Sequence, residues 1–180
     1  MPPRPASLRL RALQWLAQRE HSRAELRQRL LRLLSAAGKS ADRAEEDDDP
    51  ACAAEQQAEV EALLDWLAAR NHLSDSRFVE SRVHSRQSRY GNRRIEHELS
   101  RHGLSLDDPA REALAGSELS RAHAVWQRRY TEPAQDAAGR VRQMRFLLGR
   151  GFSPSVVQAV VRGKAGADPD NDDGDSLPPG

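Results

Sequence analysis

Residues 99–105 are Leu-Ser-Arg-His-Gly-Leu-Ser, and residues 147–153 are Leu-Leu-Gly-Arg-Gly-Phe-Ser. In each stretch a glycine follows an apolar helical pattern and precedes an apolar residue and a serine. Such a glycine suits the left-handed position after a helix, with the next apolar residue folding back on that helix. The serine suits the N-cap of the following helix, and Pro154 suits its first position. The left-handed residues and N-caps predicted in this way are Gly103, Gly151, Ser105 and Ser153.

An offset of 48 in residue number places Gly103 on Gly151, and the same offset places Phe78 on Trp126. An offset of 69 places Leu26 on Ile95. The difference between the two offsets is close to the length of the acidic stretch at 36–55. A period in this range indicates stacked supersecondary units. The sequence therefore predicts an all-α fold, a tandem array of three three-helix units.

The three units are delimited by corners, caps and loop-like stretches. Ser22-Arg23-Ala24-Glu25 is a capping box, and Arg70-Asn71-His72-Leu73-Ser74 is a third corner. The predicted units are 7–72 with a loop insertion at about 36–55, then 73–116 and 117–163, followed by a disordered acidic tail at 164–180. The predicted helices are 7–20, 22–35, 56–72, 74–89, 91–103, 105–116, 118–131, 134–150 and 153–163.

The net charge of +1 conceals a strong asymmetry along the chain. Residues 36–59 carry eight acidic side chains, and residues 165–180 carry five aspartates and no basic residue. The rest of the chain keeps a charge of about +12, almost all of it from arginine. Arginine makes bidentate contacts with phosphate and carboxylate groups that lysine cannot make. The helical body is therefore predicted to be a basic surface for a polyanionic partner.

No feature of the sequence predicts catalysis. The six histidines include no pair four residues apart, and Cys52 is the one cysteine, so no metal site is expected. Gly38-Lys39-Ser40 lacks the first glycine and the preceding strand of a phosphate-binding loop. No cofactor is expected, and the protein is predicted not to be an enzyme. With no signal peptide and no membrane-length apolar run, we expect a cytoplasmic protein without a membrane partner. We also expect it to be a monomer.

A cluster of arginines in the middle of the chain is the best candidate for a binding surface. Arg82, Arg86 and Arg89 are spaced to share one face of the fourth helix, and Tyr90 could stack on a base or pack the corner. The opposite interpretation is a solvated face whose arginines are paired with acids. Similar rows occur at Arg19, Arg23 and Arg27 and at Arg140, Arg142, Arg145 and Arg150. The predicted binding residues are Arg82, Arg86, Arg89, Tyr90, Arg93, Arg94, Arg142 and Arg145.

Four segments in sequence order together match the pattern of a known protein family. The first is residues 19–26, Arg-Glu-His-Ser-Arg-Ala-Glu-Leu, and the second is residues 73–78, Leu-Ser-Asp-Ser-Arg-Phe. Residues 91–99 are Gly-Asn-Arg-Arg-Ile-Glu-His-Glu-Leu, and residues 150–153 are Arg-Gly-Phe-Ser. These segments resemble the RecX family, and together they cover about residues 8–163. The acidic insertion and the tail fall outside the family pattern.

This resemblance implies both a fold and a function. The fold is an elongated, curved array of three-helix units. The function is binding to RecA recombinase filaments on single-stranded DNA and inhibition of their ATPase, strand-exchange and coprotease activities, with effects on DNA repair and the damage response. Single- or double-stranded DNA could also be contacted directly. The alternative from the residues alone is a general nucleic-acid-binding protein whose corners act as helix-turn-helix units without a recombinase.

Overall fold

A computed structural model describes residues 5–40 and 50–163, and this part of the chain contains nine α-helices and no strand. The helices are α1 (Pro5–Gln18), α2 (Arg23–Ser40), α3 (Pro50–Ala69), α4 (Asp75–Gln87), α5 (Asn92–Ser100), α6 (Asp108–Gly116), α7 (Glu118–Gln127), α8 (Ala137–Leu148) and α9 (Pro154–Val161). Each predicted helix is present, so the all-α prediction is confirmed.

Helices occupy both ends of the loop predicted at 36–55. Helix α2 continues to Ser40, and α3 begins at Pro50. Proline is well suited to a first helical position, and the alanines and glutamines that follow it favour a helix. The predicted loop is therefore wrong at both ends. The acidic run Glu45–Asp49 and the predicted tail at 164–180 lie outside the described residues.

The predicted helix-ending corners are confirmed. Gly103 and Gly151 have φ angles of 70° and 82°, and Asn71 takes the same left-handed conformation with φ 60°. At the second corner the Leu104 N–H donates to the Leu99 carbonyl at 3.1 Å. This is the Schellman hydrogen bond, and it returns an apolar side chain to the helix that has just ended.

One of the two predicted serine caps is wrong. Helix α6 is capped by Asp107 rather than Ser105, because the Asp107 carboxylate accepts a hydrogen bond from the Ala110 N–H at 2.9 Å. A carboxylate at this position also interacts favourably with the positive end of the helix dipole. Ser153 is the N-cap residue of α9 and Pro154 follows it, as predicted, but the Ser153 hydroxyl makes no capping hydrogen bond.

The offset of 69 between the first two predicted units holds in the structure. Helices α2 and α5 begin at Arg23 and Asn92, which differ by this same offset, so Leu26 and Ile95 are each the fourth residue of their helix. Both side chains are fully buried. The repeat inferred from their alignment therefore corresponds to equivalent positions in two helices.

The offset of 48 holds at the glycine corners but not at Phe78 and Trp126. Phe78 is the fourth residue of α4, whereas Trp126 is the ninth residue of α7. Four residues separate α4 from α5, but nine separate α7 from α8, so a single offset cannot align both helices of each unit. Both side chains are buried, but in different turns of their helices.

The chain divides into two compact units. The first unit contains residues up to Val83 together with Glu98–Ser105, and the second contains His84–His97 and the residues from Leu106 onward. In the first unit α1, α2 and α3 pack around a core of leucines. Its buried residues are Leu8, Ala12, Leu26, Leu30, Leu34, Val60, Leu64, Leu67 and Leu73.

Two half-buried tryptophans lie at the edge of the first core. The guanidinium of Arg29 lies 4.4 Å from the centre of the Trp15 ring, and that of Arg9 lies 3.5 Å from the centre of the Trp66 ring. A guanidinium over an aromatic face is attracted by the ring quadrupole and shields the ring from water. These tryptophans therefore belong to the fold.

The second unit has its own core, in which α7, α8 and α9 pack together. Its buried residues are Ala122, Val125, Trp126, Leu147, Phe152, Val157, Val160 and Val161. No helix in the described part of the chain is long and apolar enough to cross a bilayer.

Candidate partner-binding surface

The arginine row of the first unit is paired with acidic side chains. Arg23 contacts Glu61 at 2.6 Å, and Arg27 contacts the other oxygen of the same carboxylate at 2.5 Å. Arg19 pairs with Glu25. The hydrogen bond from Arg23 is the main reason that the pKa of Glu61 is lowered. For these arginines, the ion-paired interpretation is therefore the correct one.

In the second unit, the start of α5 packs against the corner between α8 and α9. The Gly91 N–H donates to the Arg150 carbonyl at 3.0 Å, and the Arg93 N–H donates to the Gly151 carbonyl at 3.1 Å. The first N–H groups of a helix and the last carbonyls of another helix lack partners within their own helices. Here each set satisfies the other, so two segments that carry the family resemblance are bonded directly together.

A buried glutamate holds the starts of two helices in this unit. Glu118, the first residue of α7, is only 5% exposed. Its Oε1 accepts hydrogen bonds from the Asn92 N–H at 3.0 Å and from the Ser153 N–H at 3.2 Å. A negative charge is favourable at the positive end of a helix dipole, and this carboxylate serves the beginnings of both α5 and α9.

Arg121 holds the end of α4. Its guanidinium donates to the Gln87 carbonyl at 3.1 Å and the Tyr90 carbonyl at 2.9 Å. Burial lowers the pKa of Arg121, while the nearby Glu118 carboxylate opposes this effect. Helix α4 thus ends at Gln87, two residues earlier than predicted, and Arg89 lies beyond the helix rather than on one helical face with Arg82 and Arg86.

The ends of three helices in the second unit surround a cleft of about 530 Å³. It brings together residues that follow α4, residues that follow α7, and side chains of α8 and its C-terminal corner. We call it the cationic cleft. Its lining residues are Arg89, Tyr90, Val125, Arg128, Arg129, Phe146 and Arg150.

Phe146 is the aromatic centre of the cationic cleft. The guanidinium of Arg150 lies 4.0 Å from the centre of its ring, and that of Arg129 lies 4.9 Å away. The Tyr130 ring meets Phe146 edge-on at 5.5 Å between centroids. These contacts position two guanidinium groups over one ring while their N–H edges remain available to a ligand.

The four arginines of the cationic cleft have no ion-pair partner among residues 5–40 and 50–163. Arg128 donates a hydrogen bond to the Ser88 carbonyl at 3.4 Å, a neutral partner. Arg129 and Arg150 contact aromatic rings. Within the described part of the chain, the positive charge of the cleft is therefore not balanced by carboxylates, in contrast to the arginine row of the first unit.

The structure places four of the predicted binding residues at or beside the cationic cleft. Arg89 and Tyr90 line it. Arg94 lies 4.3 Å and Arg86 lies 5.8 Å from the centre of the Tyr90 ring. Arg93 is exposed in the first turn of α5. Tyr90 thus carries cations over its ring and also lies at the corner.

The other predicted residues lie elsewhere. Arg142 and Arg145 line a separate depression on α8, together with Ala137, Ala138 and Val141. Arg82 belongs to the first unit, where its guanidinium lies 5.0 Å from the centre of the Phe78 ring. Arg142 also shares a smaller cleft with Arg129. The predicted set is therefore divided between the two units, and within the second unit it lines more than one depression.

Sequence reasoning missed Arg128, Arg129 and Phe146. The sequence does contain a repeated pair that points to the region of Arg128 and Arg129. Arg89-Tyr90 follows α4, and Arg129-Tyr130 follows α7. Each tyrosine N–H also donates to a carbonyl four residues earlier, of Arg86 in one case and of Trp126 in the other. The repeated Arg-Tyr pair at a helix end was the available clue. Nothing in the sequence distinguished Phe146 from a core residue.

The described residues contain no group of three or more His, Cys, Asp or Glu side chains suited to holding a metal ion. The chemistry available at the cationic cleft is recognition of an anion by guanidinium groups, with an aromatic ring beside them.

Comparisons with known proteins agree on one family. Residues 74–114 match the family model described as the RecX second three-helix domain, and residues 117–161 match the RecX third three-helix domain. The Regulatory protein RecX of Ralstonia nicotianae is 47% identical over 177 residues, which are 97% of this chain and 97% of the relative. That of Herminiimonas arsenicoxydans is 44% identical over 160 residues, 88% of this chain and 93% of the relative. That of Chromobacterium violaceum is 36% identical over 165 residues, which are 91% of this chain and 93% of the relative.

Proposed function

Since the chain belongs to the RecX family of regulatory proteins, we propose that it binds RecA recombinase filaments on single-stranded DNA and inhibits their ATPase, strand-exchange and coprotease activities. It acts in the cytoplasm as a monomer and has no catalytic activity of its own. Its three-helix units are residues 7–72, 73–116 and 117–163.

The cationic cleft is the observation that supports this proposal. Arg89, Arg128, Arg129 and Arg150 converge from the ends of three helices without a carboxylate partner in the described part of the chain. Close guanidinium groups repel one another, so the arrangement is most stable when an anion lies between them. A nucleoprotein filament presents phosphates and acidic side chains at regular intervals.

Several modest contacts can act together on such a filament. Each guanidinium that pairs with a phosphate releases a condensed counterion, and this supplies affinity without sequence specificity. Arg93, exposed in the first turn of α5, adds a further positive charge, and its N–H is bonded to the Gly151 carbonyl next to Arg150. The depression at Arg142 and Arg145 supplies a second contact on α8. Binding through two such sites raises the effective concentration of each for its target.

The test is inhibition of RecA ATPase on single-stranded DNA by the Arg128→Gln, Arg129→Gln double variant. We expect the concentration for half-inhibition to rise at least tenfold while the circular dichroism spectrum stays unchanged. The matched control is the Arg11→Gln, Arg101→Gln variant, which loses the same charge at two exposed positions of the first unit. This control is expected to inhibit like the unmodified protein.

Two outcomes would count against the proposal. Equal weakening by both double variants would show that overall charge matters and that the cleft does not. Unmodified protein that leaves ATPase unaffected but binds naked DNA with a steep salt dependence would favour the general nucleic-acid-binding alternative.

A further inference from the structure

We propose that the Asp-rich segment at 165–180 binds the cationic cleft of its own chain when no partner is present, and competes with anionic partners for it. This regulation goes beyond the proposed function. The contact itself is independent of recombinase, and only its consequence for filament inhibition rests on the proposed function.

The charges of the cleft and the segment are complementary. The cleft brings four arginines together without a carboxylate partner among the described residues. The segment 165–180 carries five aspartates and no basic residue. A carboxylate is planar and accepts two N–H bonds, which suits the guanidinium edge as well as a phosphate does. An Asp-rich peptide is therefore a chemical competitor for a phosphate or an acidic protein surface.

The described chain ends at Gly163, in the same unit as the cationic cleft. Helix α9 ends at Val161, and a side chain built on Gly163 would meet Pro133 at 3.9 Å. The neighbouring Ala134 lines a smaller cleft of about 350 Å³ together with Arg129 and Arg142. Arg129 lines the cationic cleft as well. The segment therefore begins beside Pro133, whose neighbour Ala134 lines a cleft that shares Arg129 with the proposed binding site.

The aspartates of the segment can extend well beyond Gly163. Its first and last aspartates are Asp168 and Asp175, both a short distance along the chain from Gly163. An extended chain covers about 3.3 Å per residue, so these two aspartates can reach about 17 Å and about 40 Å from Gly163. Tethering by a short linker gives an effective concentration on the order of millimolar. A contact too weak to detect between separate molecules is therefore populated within one chain.

The contact is testable on the free protein by paramagnetic broadening. Cys52 is the one cysteine, so a Cys52→Ser, Asn171→Cys variant carries a single nitroxide among the aspartates. At about 50 mM salt we expect the amide signals of Phe146 and Arg150 to lose at least half their intensity relative to the reduced nitroxide. At about 0.5 M salt they should recover, because screening removes attraction between exposed charges.

Two variants show whether the broadening comes from the proposed pairing. In the nitroxide-bearing protein, Arg128→Gln with Arg129→Gln should abolish the broadening at Phe146, and so should replacement of all five aspartates by asparagine. Broadening that is absent, spread evenly over the chain, or confined to the first unit would overturn the proposal. Unchanged broadening in either variant would overturn it as well.

Competition is measured with the filament. A chain that stops at Gly163 should half-inhibit RecA ATPase at a concentration about three- to tenfold lower than the full chain. The control is the full chain with the acidic residues of Glu45–Asp49 replaced by glutamine and asparagine. Its half-inhibition concentration should equal that of the unmodified full chain. An equal half-inhibition concentration for the two chain lengths would exclude competition. If neither form inhibits, the proposed function fails, and the broadening measurement still decides whether the contact exists.

Discussion

Gly91 lies against the backbone of Phe152, so close that a Cβ atom added to the glycine would overlap the Phe152 Cα and N atoms. Gly91 precedes α5, and Phe152 follows the corner after α8. Two segments that are far apart in sequence are thus in backbone contact, and a glycine is the residue that permits it.

Replacement of Gly91 by alanine should destabilise the second unit. The added methyl group would overlap backbone atoms that cannot rotate away, so we expect a loss of about 2 kcal/mol or more, at the upper end of the range for overpacked cores. Urea unfolding followed by Trp126 fluorescence measures the loss. Gly116→Ala is the control, because nothing lies within 4 Å of a Cβ built there. It should be neutral or stabilising by about 0.5–1 kcal/mol. Equal effects of the two substitutions would contradict the close approach.

Removal of the Glu118 carboxylate should weaken the starts of α5 and α9 together. Glu118→Ala leaves the N–H groups of Asn92 and Ser153 without their partner, and hydrogen bonds to a charged group contribute about 1.5–3 kcal/mol each. We expect a loss of about 2–4 kcal/mol in urea unfolding, and faster amide exchange at both residues. Glu112→Ala, at an exposed position of α6, should cost less than about 0.5 kcal/mol. Normal amide protection of Asn92 and Ser153 in the Glu118→Ala variant would disprove this role.

The cationic cleft should make binding dependent on salt. For single-stranded nucleic acid, the slope of log affinity against log salt concentration is about −0.7 for each phosphate neutralised. The Arg128→Gln, Arg129→Gln variant should therefore bind single-stranded oligonucleotide or filament with a slope shallower by about 1.4. Fluorescence anisotropy at several salt concentrations measures both slopes. A weaker affinity with an unchanged slope would mean that the two guanidinium groups do not contact phosphates.

The first unit should lose stability in mild acid. Burial is the main reason that the pKa values of His21 and His102 lie below the ordinary value of 6.5. The unfolded chain then binds more protons than the folded one, so stability is full above about pH 6.5 and falls as the pH drops below it. The fall is at most about 1.4 kcal/mol per pH unit for each histidine. Urea unfolding at pH 7 and 5.5, followed by Trp15 and Trp66 fluorescence, measures it.

His102→Asn is the variant that tests this assignment. His102 Nδ1 lies 3.0 Å from the Ser22 Oγ, and an asparagine amide preserves a polar partner there without titrating. The loss of stability between pH 7 and 5.5 should be smaller in this variant than in the unmodified protein. An identical loss would show that His102 does not contribute to the acid sensitivity.

Helices and their corners were predictable because the interactions that form them are local. The left-handed glycines Gly103 and Gly151 are encoded by a few neighbouring residues, and the structure confirms both. The start of α3 was missed because the acidic composition before Pro50 masked a good helical sequence after it. Asp107 rather than Ser105 is the N-cap of α6. The sequence did not distinguish them, because several adjacent polar residues could each precede the first turn of the helix.

The candidate surface was predictable only in part, because a guanidinium is available or paired according to what lies opposite it. Arg23 and Arg89 belong to similar basic runs in the sequence. The fold places Glu61 of α3 beside Arg23, but it places Phe146 and three further arginines around the cleft that Arg89 lines. Sequence spacing carries no information about such neighbours from distant helices.

By itself the sequence determined the all-α class, the helices of the described ranges, their glycine corners and the family, since each depends on short-range pattern or on direct residue identity. Tertiary structure alone decided that Gly91 packs on Phe152, that Glu118 holds two helix starts, and that Arg128 and Arg129 join Arg89 and Arg150 in one cleft. The physical reason is the distance along the chain over which each interaction acts. Helix propensity and capping act within a few residues, whereas burial and electrostatic balance depend on which segments the fold brings together.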